Sequence, residues 1–279
     1  MLMQMNQIMG QVQSGCALAE PVIYSADSIN WCFETASRKR SPVVIGCLGM
    51  GDFWEEAAEL TEFFARKYSQ VPSALSLENC REFHTAVKAF RLGFTNVIVD
   101  GIREEALLKS IAHMAHSMGG SVELSLELGD DLWEEPERLE TLIRRTGIDG
   151  LYLTMKISAC SPIDSNMVRR SISESQAEEA ENRYIQALKK LEEGIHIPLI
   201  LDGDIFCHMD FLSFTARTIA ARIRFERALS AGAVRKAEEL ISQPETDRRG
   251  LTRLQTAVRE GYEEKLGDYF QVLNTHNRW

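Results

Sequence analysis

The run LSLENC, residues 75–80, alternates apolar and small polar residues as a half-buried strand does, then ends in Glu78 and Asn79. A carboxylate at a strand's end either begins a turn or, at the mouth of a barrel, moves protons. Asp100, Glu127, Lys156, Asp202 and Asp204 close or follow similar runs. A lysine amine desolvated there, or set near Arg224, favours its neutral form and is able to form imines, with Glu78 or Glu127 as proton carriers. The competing reading pairs Lys156 with Asp202 or Glu127 in a structural ion pair. DGDIFCHMD, residues 202–210, gathers Asp202, Asp204, Cys207, His208 and Asp210. Its spacing fits no metal motif with a mechanism behind it, and loops collect aspartates for turn reasons. His113 and His116 stand three apart on a helical stretch and read as a solvated face.

Short β-like runs that would position these groups alternate with helix-length amphipathic stretches along the whole chain. Strands are expected near 17–23, 42–47, 72–77, 95–99, 121–128, 149–155, 197–201 and 219–225, with helices between them at 54–69, 82–92, 103–118, 135–145 and 174–193. Eight strand–helix units without a long linker predict one α/β domain over 1–279, a (β/α)₈ TIM barrel. An extra helix at 3–15 precedes it and a long C-terminal helix at 251–273 follows; 242–249 reads as a loop. Reactive groups then gather at the C-terminal strand ends. Period-two alternation sends Glu123, Ser125, Glu127, Tyr152, Thr154, Lys156, Arg222 and Arg224 inward, so charges of both signs meet inside and must pair or bind something.

The formal charge of −10 argues against a general nucleic-acid surface. No apolar run is long enough to span a membrane. Six scattered cysteines (16, 32, 47, 80, 160 and 207), without a CxxC pair, read as reduced thiols in a cytoplasmic protein.

The stretch VPSALSLENCREFHTAVKAFRLGFTNVIVDG, residues 71–101, resembles the class II, zinc-dependent ketose-bisphosphate aldolases, which carry a pattern like VPVALHLDHG, a helix, then GFTSVMIDGS. SPVVI (41–45), TGIDGL (146–151), IPLIL (197–201) and the terminal helices follow in family order. The resemblance implies a barrel dimer or tetramer and a zinc site held by three histidines. At the family's acid/base and first zinc positions stand Glu78 and Asn79. The second zinc position, in a GTSHG loop, falls in KISAC at Ala159, and the third, in HGASG, falls in DGDIF at Asp202. The NVDTD segment that holds substrate phosphate in the family aligns with Arg224–Ala228. ELG at 127–129, DG at 100–101 and an acidic Glu78 are what remain of the family's mouth. Asn, Ala and Asp supply no nitrogen ligand for zinc.

The expectation is therefore an aldolase homologue without a metal or other cofactor, a non-catalytic or regulatory protein of sugar-phosphate metabolism. It would be a homo-oligomer, or a hetero-oligomer with an active relative. The enzymatic alternative is a metal-free lyase with Lys156 and Glu78 as catalytic groups, Lys156 matching the Schiff-base position of class I aldolases. The binding alternative is a mouth in which Lys156, Arg222 and Arg224 hold a sugar phosphate or other anionic small molecule, with Asn79, Asp100, Glu127 and Asp202 as further ligand-binding candidates. Under the first reading, Arg224 or Lys156 closes the mouth as a salt-bridged plug on Glu78, Glu127 or Asp202.

Overall fold

A computed structural model describes residues 2–11, 14–49, 51, 53–127, 135–154, 174–205, 208–242 and 250–278. Eight parallel strands close into a barrel in sequence order, β1 pairing with β8. They are β1 Leu18–Ile23, β2 Val43–Leu48, β3 Ser73–Cys80, β4 Asn96–Val99, β5 Ser121–Glu127, β6 Gly150–Thr154, β7 Leu199–Asp202 and β8 Arg222–Phe225. The described helices are α1 Met5–Gly10, α2 Ala26–Lys39, α3 Phe53–Lys67, α4 Phe83–Leu92, α5 Glu105–Ser117, α6 Pro136–Thr146, α7 Glu174–Gly194, α8 Met209–Thr218, α9 Arg227–Ile241 and α10 Leu251–Val272. The expected (β/α)₈ barrel with added terminal helices is the fold observed.

Alternation divides the strands. Outward residues such as Ile45, Leu75, Leu77, Val97, Leu124, Leu151, Leu201 and Ile223 join the apolar layer beneath the helices. Inside, α1 stoppers the lower end: Met5 and Ile8 pack on Leu18, Val44 and Ala74. The next layer up is polar. Gly46 and Gly150 make room for it, because a Cβ on Gly46 would lie 3.0 Å from Glu78 Oε1 and 3.1 Å from Glu20 Cγ, and one on Gly150 would lie 3.1 Å from Glu123 Cγ.

Three boundaries differ from expectation by three residues or more. The last strand begins at Arg222 instead of residue 219, because the N–H groups of Ile219 and Ala220 both donate to Thr215 O at the end of α8. α1 is shorter than the 3–15 pattern. β3 runs on through Cys80 instead of stopping at residue 77, with an irregularity. Leu77 faces Val97 while Cys80 faces Val99, so β3 carries one extra residue there, and Asn79 adopts a left-handed φ of 57°. This is a β-bulge, the device that re-aims side chains at barrel rims. The segment expected as a loop at 242–249 lies, after Ser242, outside the described residues.

Candidate functional site at the barrel mouth

Two guanidiniums rise through the interior from β8, each among carboxylates. In the lower layer Arg222 is fully buried: Nε donates to Glu20 Oε2 at 2.6 Å and Nη1 to Glu123 Oε1 at 2.9 Å, while Nη2 pairs with Glu123 Oε2. Nη1 also lies 3.0 Å from Met5 Sδ of the lower stopper. Two residues on, Arg224 Nε donates to Glu78 Oε2 at 2.7 Å, Nη2 pairs with Glu226, and Nη1 lies 3.9 Å from Asp202 Oδ1. The strand register sets Arg224 between Glu20 on one side and Asp202 on the other, and closure of the barrel brings Glu78 and Glu123 within reach across the interior.

Arg224 and Glu78 form the floor of a cavity of about 590 Å³ at the C-terminal mouth. Its wall includes Asn79, Asp100, Glu127 and Asp202, with Ser125, Tyr152 and Thr154 among the hydroxyl groups. The mouth thus assembles six of the eight residues singled out from sequence: Glu78, Asn79, Asp100, Glu127, Asp202 and Arg224. Arg222, expected to bind ligand, does not reach the cavity; it lies beneath the floor, spent on Glu20 and Glu123. Lys156 lies outside the described residues. The sequence reading missed Glu20 and Arg103, and met Glu226 and Arg227 only as part of the segment aligned with NVDTD. Glu20 had a signal, a lone carboxylate inside the apolar run LAEPVI; the signal for Glu226 was its place in the segment aligned with NVDTD.

Burial dominates the electrostatics. It pushes the Glu78 carboxyl up to about 7, against the pull of Arg224 and with the help of Glu20. Asp202 rises to about 6 by burial, again against Arg224, and Glu123 rises by burial against Arg222. Burial works against the charge on Arg224, but Glu78, Tyr152, Asp202 and Glu226 outweigh it and hold the proton more tightly. Among the described residues, Glu20 Oε1 and Glu78 Oε1 are buried without a hydrogen-bond partner. An orphaned carboxylate oxygen is costly to desolvate, which is the same physics that raises Glu78.

The loop after β7 divides differently from the metal grouping weighed at 202–210. Asp204 Oδ2 accepts from the N–H groups of Glu226 and Arg227 at 3.1 and 2.7 Å, and its Oδ1 from Ala228 at 3.0 Å. A carboxylate on the opening turn of α9 satisfies free backbone donors and the helix dipole together. His208 Nδ1 lies 2.6 Å from Glu181 of α7. Cys207 is outside the described residues. Among the described residues, no three His, Cys, Asp or Glu side chains are grouped to hold a metal ion. His116 pairs with Asp149 at 2.9 Å on the surface.

Residues 3–152 match the family described as fructose-bisphosphate aldolase class-II. The chain belongs to that family. Relatives include a probable fructose-bisphosphate aldolase of Bacillus subtilis, 28% identical over 50% of this chain and 56% of its own length. The D-tagatose-1,6-bisphosphate aldolase subunit GatY of Klebsiella oxytoca is 25% identical over 54% of this chain and 60% of its own. The chain thus spans little more than half the length of these relatives. In fold the likeness is wider. The YdjI aldolase of Escherichia coli K12 superimposes with a TM-score of 0.77 at 17% identity, covering 99% of both chains. The fructose-bisphosphate aldolase of Campylobacter jejuni gives 0.67 at 15%, covering 98% of this chain and 94% of that one. No helix among the described residues is long and apolar enough to cross a membrane.

Proposed function

We propose that this class-II aldolase homologue has lost zinc catalysis and serves carbohydrate metabolism as a non-catalytic protein, through ligand binding or association with an active relative. The observation that carries the reading is the position of Arg224, whose guanidinium lies between Glu78 and Asp202 on the mouth floor. By resemblance, these carboxylates stand at the acid/base position and at one zinc position of the family. A fixed positive charge there takes up the electrostatic role of a dication and repels a real one. The donor set does not fit zinc either. Asn79 offers an amide, Ala159 has no donor, and Asp202 Oδ1 already accepts from Asp204 N at 3.1 Å. No step through zinc is therefore assigned to this chain.

What the residues do is bind and exclude. Arg224 offsets part of the charge of Glu78, Asp202 and Glu226, carboxylates that would otherwise meet at close range. Ser125, Tyr152 and Thr154 leave hydroxyl groups on the wall. The purified protein should contain no stoichiometric zinc, and added zinc should give no chelator-sensitive cleavage of fructose or tagatose bisphosphate. About one zinc per chain together with such cleavage would overturn the reading.

A further inference from the structure

In TIM barrels a phosphate group commonly sits where the loops after the seventh and eighth strands meet a helix N-terminus, on free backbone N–H groups. Here that place is filled from within. Asp204, 2% exposed, lays both carboxylate oxygens on the N–H groups of Glu226, Arg227 and Ala228, and Arg227 Nε lies 3.8 Å from Oδ2. Of the guanidiniums on the wall, Arg224 on the floor is held by Glu78, Glu226 and Asp202. Among the described wall residues, the carboxylates of Glu78, Asp100, Glu127, Asp202 and Glu226 outnumber the guanidiniums of Arg103, Arg224 and Arg227. Among these described groups negative charge exceeds positive, which opposes a phosphate, and the backbone donors at the start of α9 are already taken by Asp204.

We propose that the mouth takes an unphosphorylated, hydroxyl-rich ligand carrying an amine, with Asp204 as a built-in substitute for phosphate. This rests on the non-catalytic reading above and names its ligand class. Ser125, Tyr152 and Thr154 line the wall as hydroxyl residues for such a ligand, and Glu226, paired with Arg224 through Oε2 but 39% exposed in its side chain, is the rim carboxylate that an ammonium would share with Arg224. The cavity of about 590 Å³ accepts a monosaccharide, small-molecule sites running from roughly 300 to 1,000 Å³.

Calorimetric titration of the full chain at constant ionic strength, with glucosamine, glucose, glucose 6-phosphate and inorganic phosphate, tests this. The expected order is glucosamine tightest, glucose at least ten-fold weaker, and no heat from either phosphate. Glu226→Gln, on the rim, should reduce the glucosamine advantage to about that of glucose. Asp204→Gly should gain phosphate binding that the parent lacks. Should that variant fail to fold, the parent's probe order and Glu226→Gln still decide the matter. Tighter binding of glucose 6-phosphate than of glucose, phosphate binding by the parent, or no binding by any probe would each overturn the inference. These outcomes are separable from failure of the non-catalytic reading, which shows as zinc-dependent bisphosphate cleavage.

Discussion

At the scale of single residues, Arg224 and Glu78 decide how the mouth behaves. Removing one partner of a buried ion pair strands the other, at a cost of roughly 3–5 kcal/mol. Arg224→Ala should therefore lower the melting temperature by on the order of 10 °C, as chains of this size lose about 2–4 °C per kcal/mol. Arg224→Lys should recover only part of this, because an ammonium lacks the planar fork that serves Glu78 and Glu226 together. A thermal melt of Arg224→Ala equal to the parent's would show that the pair adds nothing. Glu78 also predicts a pH dependence. Burial raises its carboxyl from 4.5 to about 7 in the folded chain, so the folded state binds the proton more tightly than the unfolded one. The associated stability is complete below the ordinary carboxylate value and is lost as pH rises through 7. Asp202 adds the same sign between 3.8 and about 6. Denaturant melts should show the parent losing more stability from pH 5 to pH 8 than Glu78→Gln does; parallel profiles would refute the assignment.

At the scale of elements, two features turn on backbone approach. The β3 bulge converts what reads as a strand end into a continued strand. It lets Glu78 point to the floor while Asn79 reaches the wall and Cys80 returns to the apolar layer. Behind the barrel, α9 and α10 touch at Gly232 and Gly261. A Cβ on Gly261 would fall 2.2 Å from Gly232 O, and one on Gly232 would fall 2.8 Å from Gly261 O. Backbone does not yield as a flexible side chain does, so the helices would have to part. Overpacking of this kind costs about 1–3 kcal/mol. Gly261→Ala is accordingly expected to destabilise by about that amount in denaturant unfolding. Gly10→Ala, with open space around its Cβ, should be harmless. Equal stability of the two variants would mean that the crossing relaxes freely.

At the scale of the whole molecule, closure of β1 on β8 ties the ends of the chain into one ring. Arg222 reinforces the ring across its middle, joining β8 to Glu20 on β1 and to Glu123 on β5. We propose that residues 1–279 form a single cooperative domain, and scanning calorimetry should give one transition. Two resolved transitions would divide the chain. Ultracentrifugation would test the proposed dimer or tetramer in the same samples, a monomer at micromolar concentration counting against it.

The periodicity of the strands, the order of the elements and the inward direction of Arg222 and Arg224 were legible from residue types alone, because alternation at period two is a local property of extended chain. Glu78 and Asp202 were recognisable as mouth residues because they stand at the C-terminal ends of their strands. The sequence could not say which carboxylate each arginine would meet. Glu20 and Arg222 are separated by 202 positions, and Glu78 and Arg224 by 146, so only closure of the barrel and its register bring them together. Nor could it say that Asp204, read as a turn-former or metal ligand, would lie on the first turn of α9 more than twenty residues later. Composition places charge inside the barrel. The tertiary structure decides which charges cancel, because pairing depends on distances that local sequence does not set.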